Sequence, residues 1–182
     1  YRNGQCVWWN ALIVPVRGVN GLVAGIAGFF PFIYADTDES KENYYAYSSK
    51  EVFQKGRYLF FPKGDLFKAI EDKYILIVDG LFDAISLCGN GYNAAALMGS
   101  NLTQEILMQL RFVENVIIVS DNDSAGYALF DKAKKHLHNA SLLKHGKTKD
   151  ADDALKSDYS EQFKAELDKT IKSCVFGTIS SF

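Results

Sequence analysis

The chain has 182 residues, of which 48% are hydrophobic, 14% aromatic and 23% charged, enough for one ordinary α/β or α+β domain with a smaller companion. Twenty Lys and Arg against 22 Asp and Glu leave a net charge of −2, which excludes a polycation that gathers nucleic acid by bulk charge. Three scattered cysteines (Cys6, Cys88 and Cys174) form no Cys-x-x-Cys pair, which argues against structural zinc and for a reducing cytoplasm. No apolar run approaches the roughly 20 residues that a bilayer span needs, so no membrane association is expected. No signal peptide is visible, and the opening on Tyr1 reads as the start of an excised fragment.

In chain order, ALIVPVRGVNGLVAGIAGFFPF (11–32) alternates apolar with small or polar residues, and Asn20-Gly21 predicts a β-hairpin between two strands. The polar, then tyrosine-rich stretch that follows reads as an exposed loop or sheet edge. A short strand is expected over Arg57–Phe61. From Asp65 the rhythm changes to alternating β and α. DLFKAIEDK is a helix, YILIV a buried strand, FDAISLCGNG a helix and YNAAALM a strand. TQEILMQLRFV is a helix capped by Thr103, NVIIVS a third buried strand, SAGYALFDKAKKHL a helix and ASLLKH a short strand. A charged loop then enters a last helix, SDYSEQFKAELDKTIKSCV. Strands separated by helices predict a parallel sheet with right-handed crossovers.

Two strands end alike: YILIV runs into Asp79-Gly80, and VIIVS into Asp121-Asn122-Asp123. Ligands of open parallel sheets bind beyond the carboxyl ends of the strands, so Asp79, Asp121 and Asp123 are expected at one edge. Clustered carboxylates repel and destabilise a fold unless a cation neutralises them, and their hard oxygens suit Mg²⁺ or Mn²⁺. Each motif alone also reads as a turn. Asp150-Ala151-Asp152-Asp153 reads as a helix N-terminus, with Asp152 or Asp153 as the expected cap.

Taken in order, IVDGLFDAISL, GYNAAALMGSNLT, VIIVSDNDSAGYALFDKA and KTKDADDAL resemble the Toprim domain of bacterial and phage DNA primases, over about residues 74–155. The stretch ALIVPVRGVNGLVAGIAG is similar to the strand-turn-strand that precedes Toprim in primases, and VFQKGRYLF to the Phe-x-Lys-Gly-x-x-Leu segment just before it. The resemblance implies a Rossmann-like Toprim sheet flanked by helices (71–148), a mixed α+β amino-terminal subdomain (1–70) and a helical tail (149–182). It implies synthesis of short RNA primers on a single-stranded DNA template from ribonucleoside triphosphates, by a primase of phage or mobile-element type. A replicative helicase would be contacted through domains outside this chain.

The ligands carried over by the resemblance are Asp79, Asp121 and Asp123, with Asp83, Asp150 and Asp152 as further acids of the Mg²⁺ or Mn²⁺ site. Lys55, Arg57 and Lys63 carry over as template or nucleotide contacts. Two departures stand out. The family's first acid is a glutamate; Asp79 is one methylene shorter, which draws its carboxylate back by about 1.5 Å. Gly28-Phe29 stands where primases have Gly-Arg.

Other residues carry less. His136, His138 and His145 are expected on the surface, Tyr44, Tyr45 and Tyr47 in an edge segment, and Trp8-Trp9 as a docking remnant. Ser86 and Cys88 have no paired base nearby, so nucleophilic catalysis is not expected. Two rival functions use the same residues: a Toprim nuclease, and a non-catalytic module that binds nucleic acid or a partner. The primase-like leader with FQKG weighs against the nuclease.

Overall fold

A computed structural model of the protein describes residues 11–30, 44–47, 53–99, 101–120, 124–144 and 148–177. Cys6, Trp8, Trp9, Asp121, Asp123 and His145 lie outside the described residues.

The chain forms two compact units, Tyr1–Lys55 and Gly56–Phe182. In the first, strands β1 (Leu12–Arg17), β2 (Val23–Phe30) and β3 (Tyr44–Tyr47) make an antiparallel sheet in that order. The expected hairpin is there. Gly21 has φ +76°, a conformation that favours glycine, and its N–H donates to the Gly18 carbonyl at 2.9 Å. The Asn20 side chain accepts from Leu22 N–H at 3.1 Å. The register slips between Val16 and Arg17, so the turn is wider than a two-residue loop. β3 is the edge strand, in agreement with the expected edge segment.

The second unit holds a five-stranded sheet, order β4-β6-β5-β7-β8. Its strands are β4 (Leu59–Phe60), β5 (Tyr74–Val78), β6 (Ala94–Leu97), β7 (Asn115–Ser120) and β8 (Ala140–Lys144). All neighbours pair in parallel except β4, which runs antiparallel to β6. Alternation puts Ile75, Ile77, Val116 and Ile118 on one face, in a single cluster with Ala69, Ile106, Leu110, Ala133 and Leu137. Those last residues come from α1 (Leu66–Glu71), α3 (Gln104–Leu110), α4 (Ser124–His136) and the residue after it. The other face is covered by α2 (Leu81–Gly89), which touches β5 and β6, and by α6 (Ser160–Gly177), which touches β7. Cutting a wholly buried side chain such as Ile77 to alanine costs about 2–5 kcal/mol.

Three expectations are corrected. The boundary between units falls at Lys55/Gly56 and not near residue 70, because β4 hydrogen-bonds to β6 and Leu66 and Ala69 of α1 join the sheet's core. The short strand is reduced to Leu59–Phe60, since Lys55–Arg57 coil into a 3₁₀ turn. The last helix forms as α6, but the stretch before it, expected as a charged loop, is itself partly helical. α5 (Ala151–Lys156) stops at Ser157, whose hydroxyl donates to the Ala154 carbonyl at 3.0 Å and accepts from Tyr159 N–H at 3.2 Å. α5 then packs on α2 and on α6, so the tail belongs to the second unit.

Candidate active site

Parallel pairing brings the carboxyl ends of β5 and β7 level. Ile77 lies opposite Ile118, so Asp79 and Ser120 follow two residues later on their own segments. Asp79 is exposed in the bend between β5 and α2, where a charge can stay hydrated. Ser120, the last residue of β7, is buried and also pairs with Lys144 at the end of β8. Lys144 Nζ bonds the Tyr127 hydroxyl and lies 4.2 Å from the centre of its ring, which places a cation at this same edge. The place of Lys144 follows from the β7–β8 register, which no local pattern gives.

Asp83 sits in the first turn of α2 and is buried, 7% exposed. Its Oδ1 accepts the backbone N–H of Asp152 at 2.8 Å. Asp150 is the N-cap of α5, and its carboxylate accepts from Asp153 N–H at 2.8 Å. Asp83 and Asp150 thus satisfy two of the amides that a helix start leaves open, and both do so with a negative charge that suits the helix dipole. The cap falls on Asp150 and not on Asp152 or Asp153, because Asp150 is the residue with extended backbone, φ −147°. Gly80 makes room for this arrangement. A Cβ there would lie 2.0 Å from Asp83 Oδ2.

The Asp152 carboxylate is held at both oxygens. Ser86 Oγ donates to Oδ1, and Lys156 Nζ reaches Oδ2 at 2.5 Å. Spacing points to Lys156, four residues after Asp152 on α5, whereas the Ser86 contact spans 66 residues and no local pattern gives it. Asp79 is exposed and offers the hard oxygens that Mg²⁺ or Mn²⁺ takes, and Asp83, Asp150 and Asp152 serve donors of the protein. Among the described residues no three His, Cys, Asp or Glu side chains are gathered as a metal site.

The basic candidates separate. Lys55 ends the first unit, while Arg57 is tied to α3. Arg57 Nε donates to Glu105 Oε1 at 3.3 Å, Gln109 Nε2 to the Arg57 carbonyl at 3.2 Å, and Thr103 Oγ1 to the Gly56 carbonyl at 2.6 Å. The Glu105 carboxyl is lowered by its own backbone N–H and, further down the order of causes, by Arg57. Lys63 lies elsewhere. β4 pairs with the carboxyl end of β6, and because it runs antiparallel the chain beyond it heads back toward the amino edge, away from Asp79. There Lys63 lines an open cavity of about 650 Å³ with Asp65, Phe67, Cys88, Tyr92 and Asn93. Burial pushes the Cys88 thiol up. His136 and His138 are exposed, as expected.

The fold and edge define a class. Residues 76–155 match the Toprim-like family, and this part of the chain is a Toprim-like domain. Its curated relatives are DNA primases. That of Haemophilus influenzae is 30% identical over 137 residues, covering 72% of this chain and 21% of the relative. That of Neisseria meningitidis serogroup A is 28% identical over 119 residues, covering 64% and 19%. The chain thus spans about a fifth of the length of these relatives. The RNA polymerase domain of Mycobacterium tuberculosis primase DnaG, solved in complex with double-stranded DNA, shares the fold at a TM-score of 0.69 and 19% identity, over 87% of this chain and 53% of that one. No described helix is long and apolar enough to cross a membrane.

Proposed function

We propose that this chain is part of the catalytic core of a DNA primase of phage or mobile-element type, joining ribonucleotides on a single-stranded DNA template. One observation carries the reading: Asp79 stands exposed at the carboxyl end of β5, level with Ser120, and one peptide bond separates Ser120 from Asp121. Asp79, Asp121 and Asp123 would hold Mg²⁺ or Mn²⁺, which when bound supplies charge neutralisation at the triphosphate and the attacking hydroxyl. The chain's own work is positional. Asp83 fixes α5 against α2, so the helix that follows the last acidic segment cannot drift from the edge. Arg57, half-exposed and steadied by Glu105, keeps guanidinium N–H groups available for phosphate oxygens of template or nucleotide. Lys55 is a further basic candidate for template or nucleotide. Lys63 at the amino edge has no part in this scheme. A replicative helicase is the expected partner, and a reducing cytoplasm the expected compartment.

The test is to incubate the protein with single-stranded template, ribonucleotides and Mg²⁺ or Mn²⁺. Oligoribonucleotide product supports the reading. Nicked DNA without such product would favour a nuclease, and neither product would favour a binding module.

A further inference from the structure

Both oxygens of Asp152 are occupied by protein donors, and one donor is a charged group. The Asp152 side chain is 17% exposed and that of Lys156 is 69% exposed. The pair is therefore an anion at the rim of the acidic edge, covered by a cation that water can reach. As a stability device the contact is minor, since water screens an exposed i, i+4 pair. Its effect on charge is larger. The Lys156 ammonium stands 2.5 Å from Asp152 Oδ2, so a full positive charge sits directly on this carboxylate.

We propose that Lys156 is a positioning residue that stands as a tethered cation on Asp152, keeping this carboxylate from taking a divalent ion. Ser86 completes the hold from α2. The proposal rests on reading the carboxyl edge as a metal edge, and it limits divalent binding to the Asp79 side of that edge. Removing the ammonium leaves Asp152 with an unneutralised oxygen beside buried Asp83, a setting in which a hard cation restores charge balance.

The experiment is a Mn²⁺ titration followed by electron paramagnetic resonance of the free ion, on the wild-type protein, Lys156→Met and Lys156→Arg. Circular dichroism checks that each is folded. Lys156→Met is expected to bind one further Mn²⁺, or to bind Mn²⁺ on the order of tenfold more tightly at low salt, a gain that shrinks at high salt. Lys156→Arg keeps the charge and is expected to match wild type. If wild type binds Mn²⁺ and Lys156→Met binds it identically, this proposal fails alone. If neither binds Mn²⁺, the metal edge fails and the proposal with it.

Discussion

Asp83 Oδ1 accepts the backbone N–H of Asp152 at 2.8 Å, joining the first turn of α2 to the first turn of α5 across 69 residues of sequence. A buried carboxylate spent on a helix start serves architecture first. Asp83→Ala removes the acceptor and leaves a part-buried amide open, which is expected to destabilise the second unit by about 1–3 kcal/mol. Asp83→Asn retains an acceptor oxygen and is expected to lose less. Urea unfolding with an unchanged slope measures both. Equal stability of Asp83→Ala and wild type would remove the clasp from the account.

Gly80 depends on the same side chain. Gly80→Ala sets a Cβ 2.0 Å from Asp83 Oδ2, so the carboxylate must move away from Asp152. The expected loss is about 1–3 kcal/mol by overpacking. Gly89→Ala in the last turn of the same helix meets nothing within 4 Å and is expected to be neutral or stabilising. A comparison of the two melting temperatures gives the answer, and similar shifts would argue against the close approach at Gly80.

Tyr92 provides a pH signature away from the acidic edge. Burial, then the nearby Asp168 carboxylate, push its phenol up to about 12. Its hydroxyl donates to Asp168 Oδ1 at 3.2 Å. The folded state holds the proton more tightly than the unfolded chain, whose tyrosines titrate near 10. This contribution to stability is therefore intact below about pH 10 and is lost as pH rises toward 12. Ultraviolet titration of Tyr92→Phe is expected to lack the last tyrosinate step seen in wild type; an unchanged curve would contradict the assignment.

Asp79 tests the shortened reach. If it holds a cation one methylene further back than the family's glutamate would, Asp79→Glu is expected to raise primer synthesis severalfold, and Asp79→Asn to abolish it. Full activity of Asp79→Asn would take Asp79 out of the site.

Much of this was legible in the residues. The Asn20-Gly21 turn, the Thr103 cap and the buried runs YILIV and NVIIVS each lie where local pattern puts them, since period and capping are local properties. What escaped depends on pairing between distant segments. The antiparallel direction of β4 separates Lys63 from Asp79, and the β7–β8 register brings Lys144 to the edge. The short helix α5 escaped because six residues with Asp152 and Asp153 among them read as a polar loop, and Ser157 closes the helix by a hydroxyl turn. The partners of Asp152 escaped because the acids alone drew the reading, while Ser86 and Lys156 look ordinary on their own helices.

The central claim is that Asp79, Asp121 and Asp123 share a divalent cation. The most direct measurement is anomalous diffraction from a crystal of the protein soaked in Mn²⁺. The account predicts a manganese peak within ligand distance, roughly 2–2.5 Å, of Asp79 and of at least one of Asp121 and Asp123. Manganese bound elsewhere, with these three carboxylates bare, would contradict it.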